Sequence, residues 1–238
     1  MLGIVIPAHN EESGIVTCVA SVMQAARHPA LREEPVEIIV VLDNCSDATG
    51  ILAAGAGAAT VTIRARNVGM ARAAGAEAAL ARGARWLAFT DADTRVAPDW
   101  LVEQLALDAD AVCGTVGVSD WSPHGEHADL LHAHFLETYL DRDGHRHIHG
   151  ANLGVSAQAY RRAGGFRHLA CSEDVAFVNA LEASGARIAW SARPRVDTSA
   201  RQDARASGGF ADALMGAVLE RLSGVAAPLR PAPAAASA

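Results

Sequence analysis

Through its first 118 residues the chain alternates short apolar runs with longer amphipathic ones, and that alternation leaves few folds open. Short runs rich in β-branched residues and bounded by turn residues read as buried strands, and the stretches between them carry the helical period. The pattern predicts strands over residues 2–6, 36–42, 60–63, 86–90 and 111–118, and helices over 13–27, 47–54, 68–82 and 98–107. Strand and helix in alternation build an α/β domain around a Rossmann-like, mostly parallel sheet. Pro98 and Asp99 suit the first turn of the last of these helices, where a missing N–H costs nothing and negative charge is favoured.

Beyond residue 118 the alternation loosens. The reading there is a polar stretch at 119–129, a helix to about 141, and a short strand at 145–149. Helices near 157–163 and 173–184, a strand at 188–190 and an amphipathic helix at 210–222 follow. The expectation is one domain over 1–227, made of a first half (1–118) and a mixed second lobe (119–227). The tail at 228–238, with three prolines and a run of alanines, is expected to be disordered.

With 238 residues, half of them hydrophobic, the chain can bury one sizeable core. A formal net charge of −7 offers no basic field, which argues against nucleic acid as a partner. All 20 basic residues are arginine, so a phosphate held by a side chain is held by a guanidinium fork. Cys18, Cys45, Cys113 and Cys171 form no CxxC pair and are expected as reduced, buried thiols. The N-terminus shows no basic n-region or cleavage site, and no apolar run reaches membrane-spanning length. A cytoplasmic chain without a transmembrane segment is expected, with peripheral membrane contact left open.

In an open parallel sheet, ligands bind beyond the carboxyl ends of the strands. The polar residues gather there: Pro7-Ala8-His9-Asn10-Glu11-Glu12 after the first strand, Asp43-Asn44-Cys45-Ser46-Asp47 after the second, and Asp91-Ala92-Asp93 after the fourth. Two carboxylates at the end of a rigid strand can hold Mn²⁺ or Mg²⁺, which would bridge a diphosphate. Spacing alone does not single them out, since Asp108/Asp110 and Asp141/Asp143 repeat the triplet. Only Asp91/Asp93 follows a strongly apolar strand, and its plain alternative is a helix-capping turn.

The segment Gly3-Ile4-Val5-Ile6-Pro7-Ala8-His9-Asn10-Glu11-Glu12 resembles the opening of the inverting, family-two glycosyltransferases with the GT-A fold. Further segments follow in that family's order: Val40-Val41-Leu42-Asp43-Asn44-Cys45-Ser46-Asp47, then Asn67-Val68-Gly69 with Ala71-Arg72, then Asp91/Asp93. Gly150-Ala151-Asn152, Gly164-Gly165-Phe166 and Glu173-Asp174 complete the series, and the resemblance covers about residues 3–190. Leu42 and Ala74 depart from it, where the family often has aspartate and asparagine.

The resemblance implies sugar transfer from a nucleotide diphosphate donor, UDP before GDP, to an acceptor hydroxyl with inversion. It makes 1–118 the donor half and 119–227 the acceptor half. Pro7, Ala8 and His9 would lie against the base, and Glu11 and Asp43 would accept hydrogen bonds from base or ribose. Asn67, Arg72 and Asp91 join the donor site, Arg72 toward phosphates or base, unless it is an ordinary exposed helix arginine. Asp174 is the implied base, with Glu173 as a supporting contact; acids in a first helical turn are otherwise commonplace.

Seven of the ten histidines fall within 124–149, and on a strand His145, His147 and His149 would share one face. A metal site, a solvated face and an acceptor-facing wall are the readings, the last preferred, with His149, Gly150 and Asn152 on the acceptor side. Gln202 and Arg205 match part of a QxxRW element, but Ala206 replaces its tryptophan, so processive synthesis is not expected. Arg201 and Arg205 are read as closing over the diphosphate, or else as part of a polar connector. A sugar nucleotidyltransferase lacks its glycine-rich basic loop here. A non-catalytic nucleotide-sugar-binding protein would not need Glu173-Asp174, and in a dehydrogenase Gly55-Ala56-Gly57 would follow a strand, not precede one.

Overall fold

The computed structural model describes residues 1–201. The elements run β1 (Leu2–Ala8), α1 (Ile15–Ala26), β2 (Val36–Asp43), α2 (Thr49–Gly55), β3 (Ala59–Ile63), α3 (Val68–Ala81), β4 (Trp86–Phe89) and β5 (Arg95–Val96). Then come α4 (Trp100–Ala106), β6 (Ala111–Gly114), α5 (Ala128–Thr138), β7 (Leu153–Ser156), α6 (Ala157–Arg162), α7 (Glu173–Ala183), β8 (Ile188–Ser191) and β9 (Val196–Asp197). Seven strands form one sheet in the order β3-β2-β1-β4-β7-β6-β8, and β5 pairs with β9 in a separate ribbon. The β3-β2-β1-β4 and β6-β8 pairings are parallel, while β7 runs antiparallel to both β4 and β6.

Alternation along β1 divides the core. Leu2, Ile4 and Ile6 face α1 and α4, whose Ile15, Val19, Val22, Trp100 and Leu101 complete one layer. Val5, with Ile39 and Val41 of β2, faces α3, α6 and α7 in the other, beside Phe89, Tyr160, Phe177 and Leu181. The alanine-rich α3 lies close on the sheet: a Cβ on Gly75 would fall 2.3 Å from a Val5 methyl and 2.9 Å from a Val41 methyl. Asn67 starts that helix by accepting the Met70 N–H at 2.9 Å.

The chain steps from β1 to β2 and β3 on one side and returns with β4 on the other, so the sheet order reverses between β1 and β4. Ligand crevices form at such a switch point. The turns after β1 and β2 are laced together on one side of it: Asn10 Oδ1 accepts the Ser46 N–H at 2.8 Å, and Glu12 Oε2 accepts the Ala48 N–H at 3.0 Å.

Four expectations are corrected. Residues 145–149 form no strand, because His145 Nδ1 and His147 Nε2 take the backbone N–H groups of His147 and Leu140. Residues 115–118 leave β6, since the Val116 N–H goes to the Tyr139 hydroxyl and Gly117 bridges to Asp197. The antiparallel β7 lies where no strand is predicted, so β6, β7 and β8 interleave the two halves in one sheet. Cys171 is exposed and Cys45 half-buried, whereas Cys18 and Cys113 are buried as expected; all four are free thiols. The expected helix at 210–222 and the tail at 228–238 lie outside the described residues. Among the described residues no helix is long and apolar enough to cross a membrane.

Candidate active site

β1 ends in Pro7 and Ala8, and the turn after it carries His9 and Glu11 beside the switch point. His9 Nδ1–H donates to the Asp43 carbonyl at 2.7 Å, and the Cys45 thiol donates to the Ala8 carbonyl at 3.3 Å, joining this turn to the end of β2. The Asp43 carboxylate accepts three backbone N–H groups, from Ala65 and Arg66 at 2.7 and 2.9 Å and from Asn67 at 2.7 Å. Asp43 thus folds the loop that leads into α3, beside whatever it offers a ligand. Asn67 caps the helix and donates to the His168 carbonyl at 3.2 Å.

Across the switch point, Asp91 and Asp93 follow β4. Asp91 Oδ1 accepts from Arg72 Nη2 at 2.6 Å, and the Cys18 thiol donates to the Asp91 carbonyl at 3.2 Å. Arg201 makes a bidentate pair with Glu11, at 2.6 and 2.8 Å, and reaches Asp93 Oδ2 at 3.2 Å. The β5–β9 ribbon delivers it: beyond β9, Thr198 N–H bonds the Gly117 carbonyl at 2.8 Å, and the Thr94 and Thr198 hydroxyls meet at 2.8 Å. Strands of two residues carry no periodic signal, so sequence reasoning missed this ribbon. Arg205 lies outside the described residues.

Burial raises the Asp93 carboxyl to about 6 against the pull of Arg201, and the like charges of Asp91 and Glu11 push the same way. A partly buried group of oxygen donors with surplus negative charge fits a hard divalent ion such as Mn²⁺ or Mg²⁺. No group of three or more His, Cys, Asp or Glu ligands is assembled among the described residues. An ion held by Asp91 and Asp93 would complete its shell with diphosphate and water.

Arg72 is not the exposed helix arginine that was one expectation. It is 3% exposed, with Nη1 donating to Glu173 Oε1 and Nη2 to Asp91. Glu173, at the start of α7, is buried, and that burial raises its pKa against the attraction of Arg72. Asp174 is only partly buried; its Oδ2 accepts the Gly150 N–H at 2.9 Å and its Oδ1 the Val175 N–H at 2.8 Å.

On the acceptor side, Asn152 requires correction. Fully buried, its Oδ1 accepts from Trp100 Nε1 at 2.8 Å while its Nδ2 donates to the Thr115 and Pro194 carbonyls at 2.7 and 2.9 Å. It ties the chain entering β7 to α4 and to the Thr115 and Pro194 carbonyls, with its amide groups taken up inside the core. His145, His147 and His149 do share a side, but in a ring stack: Tyr139 lies 4.1 Å from His147, and Phe135 4.5 Å from Tyr139. The Val116 N–H donates to the Tyr139 hydroxyl, which also hydrogen-bonds with His149 Nε2 at 2.9 Å. Burial, with His147 and His145 nearby, depresses the His149 pKa to about 3. Tyr139 was missed in the sequence, and only its i,i+4 relation to Phe135 hints at it.

The sequence model described as Glycosyl transferase family 2 matches residues 3–164. No curated protein is significantly similar to the chain in sequence. Similar solved folds include the Staphylococcus aureus TarS fragment 1–349 in complex with UDP-GlcNAc, at TM-score 0.63 and 14% identity over 91% of this chain and 65% of that one. The mannosyltransferase PcManGT from Pyrobaculum calidifontis, in complex with GDP-Man and Mn²⁺, gives TM-score 0.61 and 16% identity over 86% and 58%. Glucosyl-3-phosphoglycerate synthase from Mycobacterium tuberculosis, with Mn²⁺, UDP-Glc and phosphoglyceric acid, gives 0.60 and 19% over 94% and 80%. The chain therefore spans less than two thirds of the length of the first two. The strand-end acids flank the sheet's switch point and the family pattern covers more than half the sequence, so the chain belongs to glycosyl transferase family 2.

Proposed function

We propose that the chain transfers a sugar from a nucleotide diphosphate donor to an acceptor hydroxyl with inversion, using Asp174 as the base. The observation that carries this reading is the division of labour in the Glu173-Asp174 pair. Glu173 is buried against Arg72, whereas Asp174 is partly exposed, with lone pairs beyond its two N–H contacts that can receive the acceptor's proton. A single carboxylate on the acceptor side suits direct displacement. UDP-sugar is the preferred donor, since two of the three similar folds hold UDP-sugars, and a GDP-sugar is second.

Glu11, His9 and Asp43 form the nucleotide wall, and Asp91 and Asp93 would hold Mn²⁺ or Mg²⁺. Such an ion would supply Lewis-acid stabilisation of the departing diphosphate. Arg201, already among these acids, provides a guanidinium fork for the same charge. A thermal-shift panel of UDP-, GDP- and dTDP-sugars, with and without Mn²⁺, tests the reading, because a specific ligand raises stability by mass action. Mn²⁺-dependent stabilisation by one donor class, lost in Asp93→Ala, is expected. Equal Mn²⁺-dependent shifts in the parent and the variant would remove Asp93 from the site.

A further inference from the structure

Arg72 stands at the meeting of three elements. It projects from α3, pairs with Asp91 after β4, and pairs with Glu173 at the start of α7. The Phe166 ring lies 6.0 Å from its Cζ, and that ring packs on Phe89 at 4.9 Å and Phe177 at 4.4 Å. The guanidinium also lies against the Gly150 backbone, where a Cβ would fall 2.2 Å from Nη2. Gly150 in turn donates its N–H to Asp174.

We propose that Arg72 is a positioning residue, which fixes the Asp174 carboxylate relative to Asp91 by holding Glu173 and by bearing on Gly150, without touching donor or acceptor. The proposal rests on Asp174 as the base. Besides the Val175 N–H, two handles on Asp174 run through this guanidinium: its chain neighbour Glu173 is an ion-pair partner, and its hydrogen-bond donor Gly150 is a packing partner. Moving Arg72 would move both.

Folding alone gives weak cause for this arrangement. Burying a guanidinium is costly even when it is paired, and an apolar side chain of similar volume often stabilises a core as well or better. Arg72 Nε has no hydrogen-bond partner, so the burial is incompletely compensated. What the arginine adds is geometry. Its planar fork addresses two carboxylates from separate elements at once, which a lysine ammonium on a flexible stem fixes less well. A misplacement of about 1 Å at a reacting group can cost roughly a hundredfold in rate, so a rigid bridge of this kind bears directly on turnover.

The test uses Arg72→Gln and, because that change strands a buried carboxylate, also Arg72→Gln/Glu173→Gln. With Mn²⁺ present, UDP affinity is measured by calorimetry. Exchange of the Gly150 amide is followed by NMR against the Ile4 and Ile39 amides of the core strands. The UDP Kd should stay within about threefold of the parent, and Gly150 exchange should accelerate by about tenfold more than the strand amides. A tenfold weaker UDP Kd with Gly150 protection intact would overturn the proposal and make Arg72 a donor contact, by roughly 1.4 kcal/mol. Uniform acceleration of all three amides would also overturn it, marking a residue that serves the fold alone. Slow UDP release from UDP-glucose, with water as acceptor, separates this proposal from the reading beneath it. Arg72→Gln should slow that release by about 10- to 100-fold. Asp174→Asn releasing UDP at the parental rate would remove the base and this proposal together; a slow Asp174→Asn beside a parental Arg72→Gln would remove the proposal alone.

Discussion

The two sides of the crevice are built by different means. On the donor side, the turns after β1, β2 and β4 present acids from the ends of parallel strands, and each strand is a run of apolar residues that marks its own end. On the acceptor side, Gly150 and His149 sit in irregular chain before the antiparallel β7, and Asp174 arrives at the start of a helix. Parallel strands buried on both faces make their ends conspicuous. The acceptor side has no such row of parallel strand ends, although both sides use side-chain contacts between residues distant in sequence. On the acceptor side Asn152, Arg72 and Tyr139 make these long-range contacts.

The sharpest way to break this comparison is at the base. Asp174→Asn keeps the shape of the side chain and an oxygen for the Gly150 N–H, gives up the one that accepts the Val175 N–H, and cannot take a proton. Transfer should fall by about 10² to 10⁴, with UDP affinity within a few-fold of the parent. Glu173→Gln is the control: a larger loss there, with Asp174→Asn active, would make the buried partner the base. Product anomeric configuration by NMR adds a separate check, since net retention contradicts single displacement.

A smaller effect, on stability, tests whether the acceptor wall hangs on its clamp. Asn152→Ala strands the Trp100 indole N–H and the Thr115 and Pro194 carbonyls in a fully buried place. Stranding them should cost about 3 kcal/mol, which is about 6–12 °C in Tm for a chain of this size. A change in Tm near zero would mean that water or repacking replaces the amide. Asp93→Ala on the donor side should leave the fold nearly as stable, because it removes a carboxylate that burial already disfavours in its charged form.

Legibility in the sequence divides along the same line. Asp91/Asp93 were separable from two other Asp-x-Asp triplets because residues 86–90 are so apolar, and the other two triplets do lie at the surface, with Asp108 and Asp143 exposed. The alternating histidines were read as a strand because period two is the period of a strand. In the structure the same alternation places rings on one side of an irregular segment, whose N–H groups go to imidazole nitrogens. The burial of Arg72 and Asn152 was hidden from the sequence for a common reason. Their motif positions are visible locally, but their partners lie 101 and 42 residues away, and only the fold decides whether a polar side chain turns inward. β7 contains Gly154 and spans four residues, too short for pattern alone to separate it from a turn.

The smallest expected effect concerns acid stability and the ring stack of the acceptor wall. His149 has a folded-state pKa of about 3 against an ordinary 6.5, with burial as the first cause and His147 and His145 adding to it. A depressed folded value means that its contribution to stability is complete above the unfolded pKa and is lost as pH falls from about 6.5 toward 3. Between pH 7 and 5 the loss from this group should be of order 2 kcal/mol, as the unfolded chain binds a proton that the folded one refuses. His149→Gln keeps an acceptor for the Tyr139 hydroxyl but has no proton to gain, so its stability should fall less steeply over that range. His145 and His147 are shifted the same way, again by burial, so the variant should flatten the profile in part. Urea unfolding of the parent and His149→Gln at pH 7, 6 and 5 reads this directly. Parallel profiles would show that His149 titrates normally, and with that the Tyr139 hydroxyl would face an imidazolium that cannot accept its proton.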